Sequence, residues 1–315
     1  MKKLILALLL LAGCTAPLDK YEESKSVMNT TFTITVYDTD AQRAQAGIES
    51  AFKEMGRIES LLSHTLKTSE VYRLNAEGEI ESFSDDLYYN MEKAIYYSNL
   101  SDGSFDITIQ PILDLYTKTF SEEKRPPTKE EVNEELKKVG YKNIEFSRDK
   151  IKLQPGTKIT LGGIAKGYAV EKASEVLRKD GIEHALINAK SSIMAVGNKG
   201  DDDWAIALQN PRDAIEYISI LKLNGNAIST SGDYERFFDD SKKYHHIVNP
   251  KTGYSAEELI SVTIIADSAF DADALSTAVF VLGKEKGMEL IEKLPSVEGL
   301  IITGDKKIIK SSGFQ

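Results

Sequence analysis

The sequence predicts an α+β fold, because it carries two hydrophobic periods side by side. Apolar residues recur at helical spacing over 42–62, over 85–99 and after Lys166, whereas a run of short, β-prone segments follows residue 184. No internal repeat, low-complexity block or Pro/Gly/Ser linker divides the chain, and its 315 residues suffice for one large domain or two small ones.

Taken in order, the chain opens with an address. Lys2 and Lys3 precede the apolar run Leu4–Leu11 and then Ala12-Gly13-Cys14. This reads as a signal peptide over 1–13, with an apolar part too short to span a bilayer. Leu11-Ala12-Gly13-Cys14 has the pattern of a bacterial lipobox, so Cys14 is expected to carry lipid. It is the only cysteine, which rules out an internal disulfide. The expectation is a protein held by lipid at the extracytoplasmic face of a bacterial membrane, with 14–25 as a polar tether and 26–315 as the folded domain. Loss of Lys2 and Lys3 takes the formal net charge from −10 to −12. An acidic chain without a basic patch is a poor partner for nucleic acid and for anionic lipid headgroups.

Met28–Tyr37 alternates and is rich in Thr, Ile and Val, so it reads as a strand. Residues 42–62 follow as an amphipathic helix with Ile48, Ala51, Phe52, Met55, Ile58, Leu61 and Leu62 on one face. Ser63–Asn75 reads as loop with a short helical turn, and Asp85–Asn99 as a second helix bearing Leu87, Met91, Ile95 and Tyr96. A turn at Gly103 then feeds an apolar segment in which Asp106 sits between apolar neighbours. A carboxylate there needs backbone N–H groups or a ligand, and both a helix cap and a ligand contact stay open. Thr128 and Glu131 have capping-box spacing for a surface helix to about Val139, and strands near 143–146 and 150–153 follow.

The stretch Ile159-Thr160-Leu161-Gly162-Gly163-Ile164-Ala165-Lys166-Gly167 joins a β-prone lead to a helix ending near Gly181. Adjacent glycines admit a ligand to the backbone, and a helix start offers unpaired N–H groups to an anion. Lys166 places a cation in a first turn where the helix dipole disfavours it, which points to a phosphate. A tight turn with a solvated lysine accounts for the same residues. The stretch is neither a Walker A loop nor a G-x-G-x-x-G fingerprint.

Strand then follows strand, at 184–189, 193–196, 204–208, 215–223 and 227–230. Ser229-Thr230-Ser231-Gly232-Asp233 reads as a hydroxyl-rich turn, suited to phosphate oxygens or to an ordinary loop. His245 and His246 are adjacent; neighbours on a strand face opposite ways, so at most one points into a shared site. After a strand at 260–266, Asp273 and Thr277 lie four apart, on one face of a helix near its N-terminus. A carboxylate with a hydroxyl is a hard-oxygen pair of the kind that holds Mg²⁺ beside phosphates. An acid near a helix start and a Thr bonded within its own helix is the simpler account.

In this order the stretches resemble the ApbE-type flavin transferase family, the FAD:protein FMN transferases, many of which are lipoproteins. The resemblance rests on Met28-Asn29-Thr30, Ser69-Glu70 with Leu74-Asn75, Gly103–Thr108, Leu161–Ala169, Ser229–Gly232, His246–Gly253 and Asp273–Ala278, and it covers nearly all of the mature chain. It implies a compact α+β domain, related to the T-fold, with mixed or antiparallel sheets and packed helices. It also implies FAD as substrate, Mg²⁺ on the pyrophosphate, transfer of FMN to a Ser or Thr hydroxyl of an acceptor redox protein, and release of AMP. Carried over by position, Met28, Asn29, Ser104, Phe105, Asp106, Lys166 and Ile247 would contact FAD, and Asp273, Thr277 and the Gly163 carbonyl would hold the metal. His246, or Asp273 where the metal leaves it free, would take the hydroxyl proton, and Lys166 would neutralise phosphate charge.

Four departures from the family pattern stand out: Thr160 where Asp is frequent, Thr65 where a Tyr can stack on flavin, Lys190-Ser191-Ser192 where Gly-Gly and Asn or Asp are usual, and Asn249 where Asp is frequent. Lys190-Ser191-Ser192 puts β-carbons in a close-approach segment or adds a phosphate contact. Two further functions stay in view. One is a Mg²⁺-dependent FAD pyrophosphatase, with water as acceptor; the other is a flavin-binding lipoprotein without chemistry.

Overall fold

Backbone pairing begins at Asp19. The structure, a computed structural model, describes residues 17–239 and 241–315. The expected signal peptide over 1–13 and the expected lipidation at Cys14 lie outside the described residues. Strand β1 (Asp19–Val27) pairs antiparallel along its whole length with β2 (Thr30–Asp38). The tether expected over 14–25 is corrected accordingly: Asp19–Lys25 is strand, and the domain starts at Asp19 rather than 26. β1 is an edge strand whose side chains, apart from Tyr21 and Val27, are exposed, so polar residues fit it; besides the backbone ladder, Glu22 accepts from the Thr35 hydroxyl at 2.7 Å and Ser24 Oγ lies 2.8 Å from Thr33 Oγ1.

The elements α1 (Ala41–Leu62), α2 (Glu70–Glu77), β3 (Glu79–Glu81), α3 (Asp85–Leu100), α4 (Gln110–Ser121), α5 (Lys129–Leu136), β4 (Ile144–Phe146), β5 (Lys150–Leu153) and α6 (Ala165–Lys179) follow in chain order. Then come β6 (Ala185–Asn188), β7 (Ser192–Val196), β8 (Trp204–Asn210), β9 (Asp213–Leu223), β10 (Ala227–Gly232), β11 (Leu259–Ala266), α7 (Ala269–Leu282), α8 (Lys284–Lys293), β12 (Glu298–Thr303) and β13 (Ile308–Lys310). Eight strands form one sheet in the order β1-β2-β6-β7-β10-β11-β12-β13, every neighbouring pair antiparallel.

Both faces of the sheet centre are covered, which explains why β7 and β11 are buried along their entire length. Met194, Val196, Val262, Ile264 and Ile301 join the core that holds α1, α6 and α7. Their sequence neighbours Ile193, Ala195, Leu300 and Ile302 point the other way, into a second core closed by Trp204, Leu208, Leu221 and Leu223 of the β8–β9 ribbon. Residues one apart on a strand thus serve different cores. α4 and α5 make a third, smaller cluster around Ile112, Tyr116, Val132 and Val248.

The long periodic helices stand where their patterns place them, α1 with Asp40 as N-cap and α5 with the capping box of Thr128 and Glu131. Three local expectations differ. The helical turn within 63–75 is the two-turn helix α2, capped by Ser69. The β-prone lead at Ile159–Leu161 is not a strand; the Asn75 side chain brackets Ile159, accepting its N–H at 2.7 Å and donating to its carbonyl at 2.8 Å. Ser229–Gly232 is not a turn but the end of β10, paired with β11. Among the described residues, no helix is long and apolar enough to cross a membrane.

Candidate active site

One cleft of about 590 Å³ gathers all the residues expected to contact FAD, hold the metal or act in catalysis: Met28, Asn29, Ser104, Phe105, Asp106, Gly163, Lys166, His246, Ile247, Asp273 and Thr277 all line it. They arrive from the β1–β2 turn, the segment before α4, the start of α6, the loop after β10 and the first turns of α7.

Asp273 is the hub. It is buried, on α7, and its Oδ2 accepts the Gly167 amide of α6 at 2.9 Å. Its Oδ1 accepts from the Ser229 and Ser192 hydroxyls at 3.1 and 3.3 Å. Burial pushes this carboxyl above the usual carboxylate range, while the charge of Lys166 and the three donors pull it back. The anion drawn to the N-terminus of α6 is therefore internal, supplied by a residue 106 positions away. The ammonium of Lys166 donates to Ser191 Oγ. Two residues of the unexpected Lys190-Ser191-Ser192 segment are thus bonded to the two charged groups of the site.

Thr277 stands one turn beyond Asp273, with Oγ1 3.3 Å from Ser231 Oγ. A Cβ built on Gly163 would lie 3.2 Å from Phe105 Cε2 and 3.5 Å from Thr277 Oγ1, so a side chain there would crowd Phe105 and stand in contact with the hydroxyl. Among the described residues no group of three His, Cys, Asp or Glu could hold a metal. A cation here would rest on one carboxylate with neutral oxygens, and Asp273, Thr277 and the Gly163 backbone supply that set. It suits Mg²⁺, a hard ion that keeps several waters and takes its remaining ligands from phosphate.

The two histidines part as expected, although their segment is a loop, with His245 in an isolated bridge to Phe237, rather than a strand. His245 is buried, its Nε2 3.0 Å from the Ala256 carbonyl oxygen and its ring edge-on to Phe280. His246 lines the cleft, with Nδ1 2.9 Å from the Arg236 carbonyl oxygen. A carbonyl only accepts, so Nδ1 carries the hydrogen and Nε2 keeps a lone pair. Burial, then the charges of Arg236 and Lys166, push the His246 imidazolium down to about 3, so the ring is neutral near pH 7.

Other expected residues act by holding the walls. Met28 and Asn29 are the two-residue β1–β2 turn, with φ of 50° and 58°. Positive φ at both positions is the turn geometry that matches strand twist, and a Met there is strained. Glu59 steadies it by accepting the Met28 amide at 3.0 Å. Asp106 is the cap anticipated as one of its two roles: it accepts the Thr108 amide at 2.8 Å and the Tyr141 amide at 2.7 Å. Burial still leaves its carboxyl above the usual range. Glu70 ties α2 to α3 by accepting the Ser84 amide at 2.9 Å and hydroxyl at 2.6 Å.

The cleft also contains Glu59, His64, Gln110, Arg236, Phe237 and Phe238, none of which the sequence singled out. Arg236 and Phe237 lie three and four residues beyond the noted Ser229–Asp233 stretch; the others carry no local signal.

Comparison with known proteins gives a consistent answer. The family model described as ApbE family matches residues 28–301. The chain is 31% identical over 300 residues to a Vibrio cholerae protein named FAD:protein FMN transferase, covering 91% of this chain and 88% of that one. A Haemophilus influenzae protein of the same name is 30% identical over 339 residues, covering 99% and 96%. Among solved structures, the ApbE protein of Thermotoga maritima superposes with a TM-score of 0.86 at 34% identity, covering 93% of this chain and 97% of that one. The flavin transferase ApbE from Vibrio cholerae gives 0.81 at 28% identity, covering 95% and 99%.

Proposed function

The chain belongs to the ApbE family, and from that premise we propose that it is an FAD:protein FMN transferase that moves FMN from FAD to a Ser or Thr hydroxyl of an acceptor redox protein and releases AMP. The observation that carries this reading is the meeting of Asp273, Thr277, Gly163, Lys166 and His246 in one cleft.

In this reaction the acceptor oxygen forms a bond to the FMN phosphorus, and the bond from that phosphorus to the bridging oxygen breaks. The bridging oxygen leaves with AMP. Bound through Asp273, Thr277 and the Gly163 carbonyl, Mg²⁺ would neutralise charge on the pyrophosphate oxygens. Lys166, steadied by Ser191, places its ammonium beside the same phosphates. The acceptor hydroxyl must lose a proton, and the Nε2 lone pair of His246 receives it. The Arg236 carbonyl fixes the tautomer that makes this transfer possible. Ser192 and Ser229, both donating to Oδ1, hold the Asp273 carboxylate in one orientation.

The extracytoplasmic location and the lipid on Cys14 belong to the same proposal; their support is Lys2, Lys3, the apolar run and the lipobox pattern. The test is to incubate the full chain in detergent with FAD, Mg²⁺ and a candidate acceptor domain, and to record intact masses and AMP. Acceptor mass increased by one FMN with matching AMP supports the transferase. FMN and AMP released without labelled acceptor supports the pyrophosphatase, and unchanged FAD leaves a binding protein.

A further inference from the structure

Lys190 occupies a backbone conformation that a lysine has no local reason to adopt. Its φ is 63°, in the left-handed region that glycine enters freely and β-carbons resist. The Ser191 amide donates to the Ala189 carbonyl at 2.8 Å across it, an i to i+2 bond that makes Lys190 the centre of a tight γ-turn of the rarer, strained kind. The turn is closed at 2.9 Å by the Ala189 amide on the Ser192 carbonyl. It is pinned from inside by Asn188 Oδ1, which accepts the Lys190 amide at 2.8 Å. Nothing in this bonding uses the lysine side chain. Lys190 is exposed, lines the cleft, and forms no ion pair among the described residues.

The neighbouring side chains show where that turn stands. Ser191 accepts the Lys166 ammonium, and Ser192 donates to Asp273, so the turn is bonded to both charged groups of the site. A cation without a carboxylate, on a strained turn set against those groups, is placed for an anion that enters the cleft. We propose that Lys190 is a specificity-determining residue that contacts a phosphate of the bound dinucleotide, a second ammonium beside Lys166. This inference rests on the reading of the cleft as a site for FAD, and assigns Lys190 the discrimination between flavins with and without phosphate. Lys166 and Lys190 then share the phosphate charge, one held by Ser191 and the other brought in by the turn itself.

Binding of FAD and of riboflavin to the full chain in detergent with Mg²⁺ tests this, in wild type and in Lys190→Gln, Lys190→Arg and Lys190→Gly. Lys190→Gln is expected to weaken FAD by about tenfold, the order of one charge-assisted contact, and to leave riboflavin unchanged. Lys190→Arg is expected to restore FAD binding to within a few fold. Lys190→Gly relieves the turn, so its melting temperature should rise while FAD weakens as in Lys190→Gln. Equal FAD affinity in wild type and Lys190→Gln overturns the inference, as does an equal loss for riboflavin. A wild-type protein that binds no FAD overturns the dinucleotide reading along with it, so the two failures are distinct.

Discussion

Gly167 and Asp273 are joined across two helices, the amide of one donating to the carboxylate of the other at 2.9 Å. Only glycine permits this approach. A Cβ at 167 would lie 2.4 Å from the Ala269 carbonyl oxygen and 2.7 Å from Asp273 Cβ. The crossing of α6 and α7 therefore sets both the position of the buried acid and the opening of the cleft.

Gly167→Ala should separate the helices, because the nearest obstacle is backbone rather than a side-chain tip. A cost of about 1–3 kcal/mol is expected from overpacking, seen as a fall of several degrees in melting temperature. FMN transfer should be lost as Asp273 moves. An unchanged melting temperature would show that the helices can shift without strain.

Asp273→Asn keeps the shape and the acceptor for the Gly167 amide but removes the charge. Turnover with Mg²⁺ is expected to fall at least about a hundredfold, since the cation loses its one carboxylate. The folded state should not suffer: burial raises this carboxyl, so ionisation works against folding at neutral pH, and the melting temperature should equal or exceed that of wild type. Activity within a few fold of wild type would remove the metal role.

His246→Ala should reduce the rate of transfer by about 10²–10⁴ while FAD affinity changes little. The pH profile gives a second check. With His246 pushed down to about 3, kcat/KM should show no loss between pH 7 and 5.5 from its protonation, where an ordinary histidine near 6.5 would be titrating. A limb near 6.5 that vanishes in His246→Ala would contradict the burial of this ring.

Asp38 ends β2 buried against Arg43 of α1, with contacts of 2.8 and 2.6 Å. Arg43 holds the Asp38 carboxyl below the usual range. A depressed folded value favours folding above the unfolded value and ceases to do so as pH falls through the folded one. The melting-temperature gap between wild type and Asp38→Asn should therefore be largest near pH 7 and shrink toward pH 3. A gap that is constant with pH would assign the pair a packing role alone.

How much of this was legible beforehand depended on where the signal lies. α1 is written in its own side chains, eight of them buried on one face, and α5 in the spacing of Thr128 and Glu131. That only one of His245 and His246 enters the cleft was foreseen, although the strand assumed for them is a loop. β1 could not be read, since an edge strand with nearly all its side chains exposed shows no apolar alternation. α4 was not anticipated beyond an apolar segment after Gly103; Pro111 occupies its start, where proline is at ease. The likeness to one family placed the cleft residues, but not their partners. Glu59 under Met28, Ser191 under Lys166 and Asp273 under Gly167 are contacts between distant segments, which local pattern does not record.

β1 has a mechanical consequence. It runs unbroken from Asp19 to the Met28 turn that walls the cleft, and nine residues of extended chain measure about 30 Å. The strand is a rigid radius. Because β1 pairs with β2 along its whole length, the Met28 turn that walls the cleft is held at a fixed distance from the Asp19 end of the strand.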